Sequence, residues 1–252
     1  MKILHYDLET APTMAYIWKL WKENIGVSQV LEPGRVICWC AKWDGEDDIY
    51  GMTEHHDGGD DMIEGLYEMM NEADVIVAYN GNNFDRPVMN AEFVKRGYTP
   101  PTPTKQVDLY QVVKKNFRFL SNRLDFVVKA LGHPDGKAET GGFDLWARCL
   151  EGDAEAWEQM LEYNAQDVEI LEWLYHRLLP WVPNHPNHAL YTPTHEHACP
   201  SCGSTSVQSR GLARTTTMTY RRFRCNECGT WSRERISDKE ALKPKLVRDN
   251  TK

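Results

Sequence analysis

The sequence predicts an α/β domain followed by a small cysteine-rich domain. Two short apolar runs, at residues 3–6 and 74–79, have the composition of strands, and residues 153–179 carry apolar side chains at helical spacing. Two Cys-x2-Cys pairs follow beyond residue 198. With 252 residues, of which 41% are apolar, the chain can bury a substantial core in one large domain.

The first predicted strand is followed by two acids. Residues 3–6 favour a pleated strand, so we expect Asp7 and Glu9 at or just past its end. Residues two apart on a strand share one face, and two neighbouring carboxylates repel each other unless a cation lies between them. A divalent metal is the usual such cation, although Asp-x-Glu is also typical of an ordinary solvated strand end.

The second acidic position follows another strand. Residues 74–79 form a short apolar run, and the turn residues 80–83 end it. A helical pattern opens at Phe84 and Asp85 and stops at Gly97. Asp85 is therefore predicted at a helix N-terminus beside a strand end, where it could cap the helix or bind a metal.

The third position lies on the long predicted helix. Tyr163 and Asp167 are four residues apart, so they share one helix face. A carboxylate can hold a metal while a neighbouring hydroxyl orients an attacking water, and the alternative is the polar flank of a core helix. The apolar stripe that predicts this helix consists of Trp157, Met160, Leu161, Val168, Leu171 and Leu174.

In their order and context, these positions resemble the DEDD (DnaQ-like) 3′→5′ exonucleases of the ribonuclease H-like fold. The run Tyr79-Asn80-x3-Phe84-Asp85 is similar to the second motif in the proofreading domains of family B DNA polymerases. One subclass of the family carries a histidine five residues before its last aspartate. Glu162 occupies that position here, which favours the tyrosine subclass (DEDDy). The resemblance covers roughly residues 1–180.

The resemblance implies a mixed β-sheet flanked by helices and two catalytic Mg²⁺ or Mn²⁺ ions about 3.5–4 Å apart. Tyr163 would position the attacking water. Asp108, at another predicted strand-to-helix junction, is a reserve candidate outside the metal set. The implied metal ligands are Asp7, Glu9, Asp85 and Asp167, and the implied contacts to the terminal nucleotide are Thr10, Asn80 and Phe84.

The implied reaction is hydrolysis of nucleic acid from the 3′ end, which releases 5′-mononucleotides, with single-stranded DNA favoured over RNA. The same fold could also support a structure-specific endonuclease or an RNA exonuclease, because fold does not fix function. A non-enzymatic nucleic-acid-binding module is a less favoured alternative. Proteins of this kind resemble replication and repair accessories of bacteria or phages.

The first domain is predicted to span residues 1–180. Residues 181–198 are rich in proline and histidine and form a linker, because proline does not fit the interior of a helix or sheet. Two thiolates three positions apart can share one tetrahedral zinc ion, and a following glycine lets backbone amides face the sulfurs. Residues 199–236 are therefore predicted to form a zinc ribbon held by Cys199, Cys202, Cys225 and Cys228, with strands at 206–208 and 215–223.

Disulfides would require an oxidising compartment, and nothing else in the sequence supports one. Cys38, Cys40 and Cys149 are expected to be ordinary buried thiols. The sequence shows no signal peptide, transmembrane run or lipidation motif, so we expect a cytoplasmic protein of a bacterium or of a phage-infected cell, with no membrane partner.

Charge is divided unevenly along the chain. Residues 1–198 carry 17 basic and 32 acidic side chains, whereas residues 199–252 carry 12 and 5. Arg221 and Arg222 lie among aromatic residues of the predicted ribbon, a mixture suited to phosphate contact and base stacking. Docking of the ribbon on a protein, for example a replication or repair protein, is the alternative. Residues 237–252 are expected to be a flexible basic tail.

An aromatic segment follows the first acidic pair. Tyr16, Trp18 and Trp21 could stack on terminal bases. Aromatic side chains at helical spacing are more often part of a core, so we expect Trp18 and Trp21 to be buried.

Overall fold

The fold described here is that of a computed structural model, which describes residues 1–134, 142–191, 197–238 and Leu246. Most of the predicted flexible tail, residues 237–252, lies outside the described residues. Compactness divides the chain into Lys2–Tyr175 and His176–Lys252, and Met1 groups with the second unit. No helix in the described part of the chain is long and apolar enough to cross a membrane.

The described part of the first unit is built on a five-stranded mixed sheet. The strands lie in the order β5-β4-β1-β6-β7; β1, β4 and β5 pair antiparallel, whereas β6 runs parallel to both β1 and β7. Helices flank this sheet, so the predicted α/β fold with a mixed sheet is confirmed. In chain order, the elements are β1 (Ile3–Thr10), β2 (Met14–Ala15), β3 (Val30–Glu32), β4 (Val36–Trp43), β5 (Ile49–Thr53), α1 (Glu54–Asp57), α2 (Gly59–Glu72), β6 (Val75–Ala78), α3 (Asp85–Lys95), β7 (Lys105–Asp108), α4 (Leu109–Asn116), α5 (Leu124–Ala130), α6 (Asp144–Leu150) and α7 (Ala154–Leu178).

Strand β1 is longer than its apolar run indicates. It extends through Thr10, because β4 pairs with it along its length, from Leu4 opposite Trp43 to Thr10 opposite Val36. Asp7 and Glu9 therefore lie inside the strand, and the prediction that they fall at or past its end is wrong. A tertiary partner, rather than local composition, sets this boundary.

The two faces of β1 pack against different layers. The even-numbered residues Leu4, Tyr6 and Leu8 join a core cluster with residues of α2 and α3, such as Leu66 and Phe93. A second cluster joins strand β4 to helices α6 and α7 and includes Ile37, Cys38, Leu145, Cys149, Ala156, Trp157 and Met160. Beyond Ile3, the odd-numbered face of β1 carries the polar residues His5, Asp7 and Glu9.

The second unit contains a small antiparallel sheet. Among its described residues, the strands are β8 (Val207–Arg214), β9 (Thr219–Cys225) and β10 (Trp231–Arg233), in the order β10-β9-β8. The pairing of β8 with β9 shifts register between Ser209 and Leu212, where Gly211 has a φ of 74°. Glycine adopts this left-handed conformation without strain, so the bulge fits the sequence. The two predicted strands overlap β8 and β9.

The aromatic segment after β1 does not enter the core. Trp18 is 92% exposed and Trp21 is 81% exposed. The prediction that they are buried is wrong, because residues 14–32 form a hairpin of β2 and β3 rather than a helix.

Candidate active site

The odd-numbered face of β1 presents two carboxylates, Asp7 and Glu9. Both lie within the strand and two residues apart, so they share one face as the spacing predicts. Asp7 pairs with Cys40 and Glu9 pairs with Cys38 across the β1–β4 ladder. Asp7 and Glu9 are both half-buried. The pairing of β1 with β4 thus fixes the backbone of both acids.

Helix α7 brings a third carboxylate to this pair. Asp167 is 3% exposed, and Asp7, Glu9 and Asp167 each offer an oxygen within 4.8 Å of the others. These residues are up to 160 positions apart in the chain. The grouping depends on α7 lying against the odd-numbered face of β1.

Asn164 fixes one of these carboxylates and was not singled out from the sequence. Its side-chain amide donates to Asp7 Oδ2 at 2.9 Å, and Asn164 is fully buried. A buried, charge-assisted hydrogen bond of this kind orients the carboxylate. Position 164 falls on the apolar stripe of α7, between Met160 and Val168. A polar residue on such a stripe is the sequence signal that could have revealed it.

Tyr163 lies one turn before Asp167 on α7. It is half-buried, and its ring meets Trp146 edge-on, with the ring centroids 6.2 Å apart. Helical geometry keeps Tyr163 and Asp167 on one face. The phenol is therefore carried by the same element that supplies the third carboxylate.

Asp85 lies beside β1. It is the first residue of α3 and is 3% exposed, and the nearby backbone N–H of Leu8 favours the ionised carboxylate and so lowers its pKa. Strand β6 ends at Ala78 and pairs with β1 only as far as His5, so the Leu8 edge of β1 is open to this contact. Asp85 is not one of the three acids that share the 4.8 Å grouping.

Burial raises the pKa of Asp85 to about 7, and the neighbouring Asp108 carboxylate adds to this rise. Ionising a buried carboxylate costs free energy because water is excluded from it. A nearby cation would offset that cost and keep Asp85 ionised.

Asp108 has a different local role. It caps α4 by accepting from the backbone N–H of Gln111, and it also accepts from the N–H groups of Asn80 and Asn82 at 3.0 and 3.2 Å. Both carboxylate oxygens are thus engaged by backbone donors. These contacts hold the 80–83 turn in place, and they account for Asp108 without a metal.

The predicted substrate contacts lie near these acids in the chain. Thr10 is the last residue of β1, and Phe84, which precedes α3, is 44% exposed. Asn80 has a φ of 68°, and its side-chain oxygen accepts from Asn83 at 2.9 Å. Phe84 therefore offers an exposed aromatic face, whereas the carbonyl of the Asn80 side chain serves the turn.

The oxygen donors fit a divalent cation. Carboxylates are hard ligands, which suit Mg²⁺ or Mn²⁺. Two oxygens on one Mg²⁺ lie at most about 4.2 Å apart, because each is about 2.1 Å from the ion. Small side-chain rotations would bring the grouping of Asp7, Glu9 and Asp167 to that spacing.

A second group, formed by His5, Asp44 and Glu172, has internal partners instead. Glu172 pairs with Lys42 at 2.7 Å and accepts from the backbone N–H of Gly45 at 2.8 Å. The His5 imidazole Nε2 lies 3.0 Å from Asp44 Oδ1. Because Lys42 already supplies the positive charge, we assign this group a structural role.

The four cysteines of the second unit converge. All four sulfurs lie within 4.8 Å of one another, and the Cys199–Cys228 and Cys202–Cys225 sulfurs are each 3.6 Å apart. Zinc bound at about 2.3 Å to four sulfurs requires sulfurs about 3.8 Å apart, whereas a disulfide requires about 2.05 Å. All seven cysteines lie among the described residues and are free thiols, so the cluster fits a small zinc-binding module.

The glycines after each cysteine pair adopt a left-handed backbone conformation. Gly203 and Gly229 have φ angles of 74° and 79°, and the backbone N–H of Gly203 donates to the carbonyl of Cys199 at 2.9 Å. A Cβ atom at Gly203 would also meet the His188 ring at 2.5 Å. Glycine is thus required there by conformation and by space.

Arg221 and Arg222 lie exposed on β9. Arg222 stacks on Trp231, with its guanidinium 5.1 Å from the ring centroid, and Arg221 is 4.0 Å from Asp238. The predicted mixture of arginine and aromatic side chains therefore forms a real surface on the ribbon. Cation–π contact pre-orients Arg222 without neutralising it.

Comparison with known proteins identifies a family and structures with a similar fold. The family B DNA polymerase from the hyperthermophilic archaeon Pyrobaculum calidifontis has a similar structure, with a TM-score of 0.54 and 19% sequence identity. The similarity covers 71% of this chain but 24% of the polymerase chain, so this protein spans about a quarter of that polymerase. No curated protein matches the chain.

The family match includes part of the candidate site. Asp85, Tyr163, Asn164 and Asp167 lie within residues 38–179, which match the RNase_H superfamily, whereas β1 precedes them. This match covers more than half of the chain, and the chain belongs to the RNase_H superfamily.

Proposed function

We propose that the protein is a metal-dependent 3′→5′ exonuclease that releases 5′-mononucleotides, with single-stranded DNA as the favoured substrate. The convergence of Asp7, Glu9 and Asp167 from β1 and α7 carries this proposal. Membership of the RNase_H superfamily supports nuclease activity in general. The 3′→5′ direction and the tyrosine subclass rest on the motif order and on Glu162 in place of a histidine.

The carboxylates of Asp7, Glu9 and Asp167 would hold the cations, and Asp85 would join them from the open edge of β1. When bound, two Mg²⁺ or Mn²⁺ ions supply positive charge to the attacking and leaving oxygens of a phosphodiester. A phosphodiester is already anionic, so its hydrolysis needs positive charge and alignment more than a protein nucleophile.

The other residues would orient the reactants. The Tyr163 phenol would form a hydrogen bond with the attacking water, as donor or acceptor, and so align this water with the scissile phosphate. Asn164 would keep Asp7 in its rotamer. Phe84 would stack on the terminal base, and Thr10 and Asn80 would contact the same nucleotide.

We propose a structural zinc ion for the four cysteines and a substrate-binding role for the ribbon. Residues 1–198 carry a formal charge of −15 and residues 199–252 carry +7, before the thiolates are counted. A strongly acidic domain repels nucleic acid, so a basic ribbon with Arg221 and Arg222 would supply the missing attraction. We also propose a role in replication or repair in a bacterial or phage-infected cell, on the basis of the resemblance to accessory proteins of this kind.

The test is digestion of single-stranded DNA labelled at its 5′ or 3′ end, with matched RNA and a circular single strand, in Mg²⁺ or Mn²⁺. The wild type is compared with Asp7→Ala, and Asp47→Ala, which changes an exposed acid of the β4–β5 turn, is the control. We expect a ladder that shrinks from the 3′ end and loss of activity of about 10³-fold or more only in Asp7→Ala.

Other products would contradict parts of the proposal. Cleavage of the circle would identify an endonuclease, and preference for RNA would change the substrate. Absence of metal-dependent cleavage on every polymer would leave a nucleic-acid-binding module.

A further inference from the structure

A hairpin projects from the strand pair that carries the candidate active site. After β1 and before β4, the backbone N–H of Ala11 donates to the carbonyl of Arg35, and Met14 pairs with Glu32. Residues 14–32, here called the tryptophan arm, therefore extend the β1–β4 ladder beyond Thr10.

The tryptophan arm presents large apolar side chains to solvent. Trp18 and Trp21 are 92% and 81% exposed, and Leu20 and Val27 are similarly open. Leaving an indole in water forgoes the favourable free energy of its burial. Contiguous exposed apolar surface on a soluble protein commonly marks a binding site.

Specific hydrogen bonds hold the arm in this shape. The Glu23 carboxylate accepts from the backbone N–H groups of Trp18 and Lys19 at 3.0 and 2.9 Å. The Gln29 amide donates to the carbonyl of Tyr16 and accepts from the N–H of Gly26, both at 2.9 Å. These hydrogen bonds therefore fix the backbone that carries the exposed tryptophans.

Two lysines lie next to the tryptophans and can contact an anionic partner. Lys19 and Lys22 are exposed, and neither forms an ion pair with a residue that the structure describes. The backbone amides of Trp18 and Lys19 engage Glu23. Aromatic rings interleaved with free cations suit stacked bases and phosphates together.

We propose that the tryptophan arm stacks bases of the single-stranded substrate, an inference that rests on the proposed nuclease function. Trp18 follows Thr10 by eight residues, so it lies within about 29 Å of the strand end, even with fully extended backbone. A substrate strand of several nucleotides bridges such a distance. The arm is thus within reach of a substrate strand that is bound at the candidate site.

The test measures binding rather than cleavage. Fluorescence anisotropy gives the affinity for a short oligothymidylate and for an abasic oligomer of the same length, in an Asp7→Ala background that keeps the DNA intact. We expect Trp18→Ala and Trp21→Ala each to weaken oligothymidylate binding about tenfold. Binding of the abasic oligomer should stay within about twofold, since it has no bases to stack. Trp18→Phe and Trp21→Phe should restore most of the affinity.

Trp181→Ala, at a tryptophan outside the arm that is 53% exposed, is the matched control and should bind like its parent. Unchanged oligothymidylate affinity in the double alanine variant would overturn the proposal. An equal loss on the abasic oligomer would overturn it as well, because the contact would then be to the backbone. Self-association that the double variant abolishes, with DNA affinity unchanged, would assign the arm to a second copy of the chain.

Failure of the arm and failure of the nuclease proposal are distinguishable. Cleavage by the wild type with unchanged binding in the arm variants overturns the arm alone. Weakened base-dependent binding in the arm variants, without any cleavage by the wild type, overturns the nuclease proposal and leaves the arm as a base-stacking surface.

Discussion

At the scale of single residues, the candidate site depends on a buried amide as much as on its acids. Asp7 and Glu9 share a strand face because of sequence spacing alone. The Asn164 side-chain amide, which is fully buried, then orients the Asp7 carboxylate by donating a 2.9 Å hydrogen bond to it. Cys38 contacts the other side of the amide, with its sulfur 4.0 Å from Asn164 Oδ1. A carboxylate held by such a partner is ready for a cation before the cation arrives.

Asn164→Ala should therefore weaken the proposed metal site without removing any of its proposed ligands. We expect the Mg²⁺ concentration for half-maximal cleavage to rise about 10–100-fold, because an unsupported Asp7 loses its fixed rotamer. Metal titration of the cleavage rate is the measurement. Asn90→Ala, at an exposed asparagine of α3, is the control. An unchanged Mg²⁺ requirement in Asn164→Ala would show that this hydrogen bond does not position Asp7.

At the scale of elements, two turns and one long helix assemble the acids. The β6–α3 turn places Asp85 against the open edge of β1, and the Asp108 side chain holds that turn through two backbone N–H groups. Gly81 lets the turn pack tightly against Ala78, because a Cβ at residue 81 would lie 2.5 Å from the Ala78 Cβ. Helix α7 supplies Asp167, Tyr163 and Asn164 from consecutive turns.

Gly81→Ala should destabilise the fold and disturb the approach of Asp85. The added methyl meets a short, rigid side chain, so the turn must shift, at a cost of about 1–3 kcal/mol in the free energy of unfolding. Urea denaturation measures this change. Gly26→Ala is the control, since its φ is −80° and its nearest contact would be 3.6 Å away; it should change stability by less than about 0.5 kcal/mol. Equal stability of the two variants would mean that the turn relaxes freely.

At the scale of the whole molecule, two units carry opposite charge. In the unit with the carboxylates, acidic residues outnumber basic residues. The ribbon has an arginine surface that includes Arg222 stacked on Trp231. The ribbon strands bury few side chains, so its shape depends on the cysteine cluster.

If the proposed zinc site and nuclease activity hold, Cys199→Ser should release zinc and weaken the binding of long single strands, while the Mg²⁺ dependence of cleavage stays unchanged. Elemental analysis gives the zinc content, and cleavage of long and very short substrates separates binding from chemistry. We expect the loss on long substrates to be about tenfold or more at low salt and smaller at high salt. Cys149→Ser, at a buried thiol of α6, is the control for loss of a sulfur. Undiminished binding of long strands after zinc loss would indicate that the ribbon docks on a protein.

The fold class and the positions of several elements followed from local patterns. Alternating and continuous apolar runs predicted β1 and β6, the apolar stripe predicted α7, and the Cys-x2-Cys pairs predicted the cysteine cluster. These features depend on neighbours a few residues away. Local periodicity and turn chemistry are therefore enough to reveal them.

Sequence alone thus determined the α/β class, the shared face of Asp7 and Glu9, and the two cysteine pairs, because each is set by short-range geometry. Only the tertiary structure decided that β1 runs through Thr10, that Asn164 supports Asp7, that backbone donors engage Asp108, and that Trp18 and Trp21 face solvent. Each of these depends on a partner distant in the chain or on the absence of one. Contacts between residues far apart in sequence are fixed by packing, which no local pattern encodes.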